Sequence, residues 1–177
     1  MIRSIYRTED GQCRLDLEPD DFAAAIEDEQ GLLWVDMQAE PPERCEPILH
    51  ETFHFHPLAI DDALRESHVP KVDDWGEYLY LVLHAGILNQ RDGDPLDTLE
   101  VDIFFGRNYV VTYHEQAIDA VDRVWDVSQR DKRYLANGPD HLLYRLVDEL
   151  VAGYMPLADQ MDDTIDRLED RILSEPT

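Results

Sequence analysis

Positive charge is what this chain has least of. Fifteen lysines and arginines stand against 40 aspartates and glutamates over 177 residues, a formal charge of −25, and only Lys71 and Lys132 are lysines. So acidic a surface repels phosphate backbones and anionic lipid, which excludes nucleic-acid or membrane-surface binding by electrostatic attraction and favours cations and cationic partners. It would equally suit a salt-rich cytoplasm. Cysteine is almost missing: Cys13 and Cys45 are far apart and form no CxxC pair, which excludes a redox motif or a thiolate zinc site and predicts reduced thiols. Long apolar runs are missing too, and the N-terminus MIRSIYRTEDGQCRLDL has no apolar signal segment. The sequence as it stands therefore predicts a soluble chain. No glycine-rich phosphate loop, GxSxG or usefully spaced Cys–His pair occurs, so enzyme readings have little chemistry to stand on.

What is present is 44% apolar residues, enough for one proper core with a helical extension. Ile2 to Arg7 and Gln12 to Leu17 read as a hairpin around Thr8-Glu9-Asp10-Gly11. A helix from Pro19 to about Gly31 follows, then Leu32 to Met37 as a central strand and Glu43 to His54 as a second helix. Val72 to Trp75, Tyr78 to Leu88, Leu96 to Phe105 and Tyr109 to Tyr113 read as strands, the last three forming an antiparallel meander, with a polar turn over Asn89 to Asp94. In Leu96 to Phe105, Leu99, Val101, Ile103 and Phe105 fall on one side and Thr98, Glu100 and Asp102 on the polar side. The fold class is α/β, a mixed sheet with helices packed on it. Ile118 to Gln129 has helical spacing, and Asn137-Gly138-Pro139 marks a boundary between an α/β domain, 1–138, and a helical extension, 139–177. Leu143 to Ile172 keep three- and four-residue spacing, as one long helix or a pair bent at Pro156, before the chain breaks off at Ser174-Glu175-Pro176-Thr177.

The stretch that organises the chain is FHPLAIDDALRESHVPK, from Phe55 to Lys71. Pro57 fits a first helical turn and Pro70 forces its predecessor out of helical geometry, so Pro57 to about Arg65 is a short helix docking through Leu58, Ile60 and Leu64. It carries Asp61 and Asp62, whose mutual repulsion a divalent cation or a basic neighbour would relieve; solvated polar-face residues are the plainer reading. His50-Glu51-Thr52-Phe53-His54 matches the HExxH of zinc peptidases, which needs two imidazoles on one helical face and a glutamate base, but no further metal-ligand spacing supports it. His56 reads as a helix-entry residue or a ligand, and His84 as a hydrogen-bonded core or edge histidine. Trp34, Trp75 and Trp125 read as core. The acidic face Asp159, Asp162, Asp163, Asp166, Glu169 and Asp170 reads as a solvated face or an ion-binding one.

Taken together, Leu33-Trp34-Val35-Asp36-Met37, the HPLAIDDAL block, Pro70-Lys71-Val72-Asp73, Tyr78 to His84, Asn108 to His114 and Leu142 to Asp148 through Asp170 resemble the CorA-type divalent metal transporters, a family that includes a zinc-transporting ZntB branch. The resemblance covers about residues 30 to 173 and implies an α/β/α sandwich on the cytoplasmic face of the cell membrane, feeding a helical stalk and two membrane helices in a homopentameric channel. It implies regulatory Mg²⁺, with Co²⁺ or Zn²⁺ as alternatives, bound between subunits by Asp61, Asp62 and Asp148 of one chain and a stalk carboxylate of the next. The family's Gly-Met-Asn pore signature does not occur. The chain is accordingly expected to be the soluble portion of a longer protein, meeting the membrane only through a missing C-terminal segment. A zinc transporter of the same family and a peptidase built on His50 and His54 are the alternatives.

Overall fold

The run Leu32 to Gln38 (β3) explains the architecture: Leu33, Val35 and Met37 face one core while Leu32 and Trp34 face another, so the strand must be covered on both sides. The computed structural model, which describes residues 1–65, 69–88 and 96–174, provides that cover. Seven strands form one sheet in the order β2-β1-β3-β7-β6-β5-β4. They are β1 (Ile2–Arg7), β2 (Cys13–Leu15), β3, β4 (Lys71–Asp74), β5 (Tyr78–Leu88), β6 (Leu96–Gly106) and β7 (Tyr109–His114). Among the described residues only the β3–β7 pair is parallel, so the sheet is mixed, and β5, β6 and β7 are the antiparallel meander expected.

One helical layer holds α1 (Phe22–Glu27), α2 (Pro42–Pro47) and α3 (Pro57–Leu64) over Val35, Tyr80, Val82, Phe104 and Val111. Its centre is Phe55, stacked on Phe104 at 4.2 Å between ring centroids with the planes only 7° apart. The other layer holds α4 (Asp119–Arg130) and α5 (Pro139–Ala152) over Trp34, Val101, Ile103 and Val110. There Trp34 meets Trp125 edge-on at 4.9 Å, a contact adding about 1 kcal/mol to the burial itself. The protein is an α/β/α sandwich with a mixed sheet.

A final helix, α6 (Tyr154–Ser174), departs from the sandwich, with Leu157 as its one buried residue. The expected bend at Pro156 is displaced: the helix breaks at Gly153, and Pro156 lies in the first turn of α6, where a missing N–H costs nothing. None of the described helices is long and apolar enough to cross a membrane. Two other expectations shift. The first helix begins as a 3-10 turn at Pro19–Asp21 and ends at Glu27, and the helix expected over Glu43 to His54 is α2 followed by a π-helical turn, Ile48–Thr52. The polar turn expected at Asn89 to Asp94 lies outside the described residues, as do 175–177 at the chain's end.

Candidate metal centre

Local sequence builds α3 with little freedom. The His56 side chain caps it, Nδ1 accepting from the Leu58 N–H at 3.2 Å, Pro57 occupies the first turn, and Ala59, Ile60, Ala63 and Leu64 are buried. Leu58, expected to dock, is 63% exposed. Asp61 and Asp62 take the outer side, with side chains 49% and 41% exposed. Neither carboxylate is bare. Asp61 accepts from Arg65 Nε at 2.9 Å one turn on, and Asp62 is paired with the Lys71 ammonium, which also reaches Asp73 Oδ2 at 2.9 Å. Hydrogen bonds to those two aspartates raise the Lys71 pKa. The basic neighbour that repulsion calls for is therefore one of the chain's two lysines.

Asp148 sits on α5, which buries Leu142, Leu146 and Leu150 in the opposite layer. Its side chain is 47% exposed and accepts from Arg145 Nη1 at 3.1 Å, while Glu149 beside it accepts from Arg123 Nε at 2.9 Å. The sheet thus separates Asp148 from Asp61 and Asp62. The expected arrangement, all three carboxylates of one chain around one ion, is not what this fold gives, because helices following β3 and helices following β7 cover opposite faces. Among the described residues, no group of three or more His, Cys, Asp or Glu side chains is gathered so as to hold a metal ion. As half-exposed hard oxygen donors the three have the chemistry that a hydrated divalent cation takes, and a single copy does not bring them together.

The HExxH geometry fails at the backbone. Helical hydrogen bonding stops at Thr52, and His54 has φ +55°, so His50 and His54 do not share a helical face. His84 lies on β5 opposite Glu100 of β6, its Nε2 3.6 Å from Glu100 Oε2. Trp75, expected in the core, is only partly buried and stacks on His56.

Two buried polar sets went unread in the sequence. Asp36 and His114 are fully buried and 3.2 Å apart, and Asp36 also accepts from Arg3 Nε at 2.8 Å and from the Thr112 hydroxyl. Burial works to raise the Asp36 pKa, but the His114 hydrogen bond, the His114 and Arg3 charges and Thr112 outweigh it and hold the carboxyl below its usual range. For His114 burial works downward, and Asp36 and the Gln116 carbonyl overcome it to raise the imidazole pKa. Arg3 runs on to Asp122 Oδ1 at 2.6 Å and lies over the Trp125 ring at 4.3 Å, so this set ties the sheet to α4. Asp102, placed on the polar side of β6, is 2% exposed and accepts from the Tyr80 hydroxyl at 2.5 Å, because the face it shares with Phe104 lies under α3. Nothing in LLWVDMQ or LEVDIFF marks these aspartates as buried, since each sits in a strand whose cover is contributed by distant sequence.

Comparison with known proteins agrees with this fold. Residues 29–177 match the family model described as CorA-like Mg²⁺ transporter protein. The "Putative metal ion transporter YfjQ" of Bacillus subtilis is 36% identical over 137 residues, 77% of this chain and 41% of that protein. The "Cobalt/magnesium transport protein CorA" of Thermotoga maritima is 31% identical over 127 residues, 71% of this chain and 36% of that one. This chain therefore spans about two fifths of the length of these relatives, both named as transporters rather than enzymes. The soluble domain of CorA from Methanocaldococcus jannaschii superposes with a TM-score of 0.72 at 19% identity, covering 98% of this chain and 65% of that one. The matched span takes in β3, the α3 block with Asp61 and Asp62, the meander and both C-terminal helices, and on that ground the chain belongs to the CorA-like Mg²⁺ transporter family.

Proposed function

We propose that this chain is the ion-sensing portion of a divalent-cation transport channel, placed on the cytoplasmic side of the membrane and assembled as a ring, a homopentamer in the complete protein. The observation that carries the reading is the placement of half-exposed carboxylates on two opposite faces, Asp61 and Asp62 on α3 and Asp148 on α5. A ring is built from heterologous contacts in which one face of each copy meets the other face of the next. In such a ring, Asp61 and Asp62 of one copy approach Asp148 of its neighbour or a carboxylate from the longer chain beyond residue 177.

Arg65, Lys71 and Arg145 neutralise these aspartates within an isolated chain. At a seam, a divalent cation supplies the positive charge that lets two acidic surfaces meet. The aspartates then turn from their own basic partners toward the seam, contacting the cation through its retained waters as Mg²⁺ prefers. With the cation withdrawn, they return to these intramolecular partners, and the seam loses the charge that bridged it. Several weak seams acting together can bias the assembly strongly, because each contributes its own differential affinity for the closed state. Asp148, reached only through the neighbour, makes the sensor depend on assembly.

The test is ion flux by the complete protein in liposomes as Mg²⁺ is raised on the sensing side. Asp61→Asn with Asp62→Asn, and separately Asp148→Asn, are each expected to move the Mg²⁺ concentration that closes the channel upward by about tenfold, one tenfold factor being about 1.4 kcal/mol of lost coupling. Closure at unchanged Mg²⁺ in both variants would refute the assignment. Running the same series with Co²⁺ and Zn²⁺ ranks the ion sensed.

A further inference from the structure

His114 is the last residue of β7, and an accounting of its ring hydrogen bonds fixes its charge. Nδ1 lies 2.6 Å from the Gln116 carbonyl and Nε2 3.2 Å from Asp36 Oδ1. A carbonyl can only accept. Asp36 is proton-free as well: its Oδ2 accepts from Arg3 Nε at 2.8 Å, and its Oδ1 accepts from the Thr112 hydroxyl, whose oxygen is itself taken by the Trp34 indole N–H at 3.2 Å. A neutral imidazole has one N–H and cannot donate at both ends. The buried ring therefore carries both protons and is a cation inside the fold.

The ring stands between the sheet and the connection that leads to α4. Asp36 and Arg3 bring in β3 and β1, and Arg3 continues to Asp122 of α4. The strand end itself is fixed independently, the His114 carbonyl accepting from the Ala39 N–H at 2.9 Å. Glu115, Gln116 and Ala117 beyond it are exposed, and the bond from the ring to the Gln116 carbonyl ties this stretch back to the core. Ala117, Ile118 and Asp119 in turn wall a groove of about 690 Å³ against Gly153, Pro156 and Leu157, where α6 begins. The ring also borders a cavity of about 160 Å³ that it shares with His84 of β5, Glu100 and Asp102 of β6, Ala63 of α3 and Glu115. Toward its own layer, α5 contributes Leu142, Leu146 and Leu150.

Loss of one proton has a defined outcome. The Asp36 carboxylate, the stronger acceptor, keeps the Nε2 proton, so the proton that leaves is the one on Nδ1, and two lone pairs then face each other across 2.6 Å. We propose that His114 is a proton-operated latch, which ties the β7–α4 connection to the core while both ring nitrogens are protonated and releases it, together with the seat of α6 behind it, when the Nδ1 proton leaves. Burial and the Arg3 charge work against the proton, and the Asp36 and Gln116 bonds overcome them. With its proton affinity raised, the latch is closed below the ordinary histidine value of about 6.5 and opens as pH climbs through the higher value held in the fold. Asp61, Asp62 and Asp148 have their partners elsewhere, so the latch stands or falls apart from the ion-sensing reading.

The experiment is an NMR titration of the ¹⁵N-labelled chain from about pH 6 to about pH 9, following the ring nitrogens of His114 and the backbone amides of residues 115–118. Both ring nitrogens are expected to be protonated at neutral pH, Nδ1 is expected to lose its proton as pH rises, and the four amides are expected to shift with the same midpoint. Asp36→Asn is expected to lower that midpoint by about one pH unit or more, a tenfold or greater loss of proton affinity. Asp102 also gives up a proton in this range, so the titration is repeated in Asp102→Asn, which is expected to leave the step at 115–118 in place. A His114 ring with a single N–H at neutral pH, or one that keeps both protons throughout, would overturn the proposal. So would a step at 115–118 that does not follow the ring or that vanishes in Asp102→Asn. The wild-type ring decides the matter whether or not Asp36→Asn folds.

Discussion

Asp102 illustrates how a single residue sets a pH dependence for the whole fold. Burial raises its pKa; the Tyr80 hydrogen bond and the Lys71 charge pull the other way, Glu100 and Asp62 add to the rise, and the result is about 8. Its carboxyl is thus protonated at neutral pH in the folded chain and ionised in the unfolded one. A group whose folded pKa is raised stabilises the fold fully below its ordinary value and loses that contribution as pH climbs through the folded value. Asp102→Asn keeps a carbonyl for the Tyr80 hydroxyl but has no proton to lose. In denaturant melts, its stability relative to wild type is expected to improve from about pH 4 upward and to level off above about 8. Parallel pH profiles for the two proteins would show that Asp102 ionises normally. At this scale the sequence was legible where local rules operate: Pro57 opens α3, Asp61 and Asp62 project from it, and Cys13 and Cys45 are free thiols. It was silent on Asp36 and His114 and put Asp102 on a polar side, because the burial of all three is decided by chain far away in sequence.

Among the elements, α6 is the one most loosely attached to the sandwich. It meets β5 where Leu157 and Tyr154 cross Gly86, and the Tyr154 hydroxyl donates to the His84 carbonyl at 2.9 Å. A Cβ on Gly86 would lie 2.4 Å from Leu157 Cδ1 and 3.0 Å from the Tyr154 ring, too close for either to remain in place. Gly86→Val is therefore expected to cost about 1 to 3 kcal/mol of docking. Amide exchange should accelerate across α6 while β6 and β7 keep their protection, and unchanged exchange in α6 would show that the helix is held elsewhere. The strand and helix periods made nearly every element readable in advance. Their boundaries were less so: Gly153, not Pro156, divides α5 from α6, because a proline is harmless in a first turn and a glycine at a C-terminus is not required to announce itself. The π-turn at Ile48–Thr52 left no periodic signature at all.

At the scale of the molecule, what sequence order could not convey is which face of the sheet each helix takes. The outward placement of Asp61 and Asp62 followed from the α3 pattern, whereas Asp148 entered through the family resemblance, and the layer each occupies emerges only from the sheet order and the two separate cores. The same separation bears on the proposed assembly. Along most of α6, Met161, Ile165, Leu168 and Ile172 remain 47 to 72% exposed, so the sandwich alone does not complete the molecule's packing.

In the proposed ring, carboxylates on opposite faces give each copy a head and a tail, and this predicts rescue between two damaged copies. Chains carrying Asp61→Asn with Asp62→Asn retain a sound tail, and chains carrying Asp148→Asn retain a sound head. Co-expressed in equal amounts, they should regenerate intact junctions at about a quarter of the boundaries in each ring. Partial recovery of Mg²⁺-dependent closure in the mixture, absent from either parent alone, is the genetic signature of polarity; a mixture no better than its parents would mean that each copy carries both halves of its site on one side.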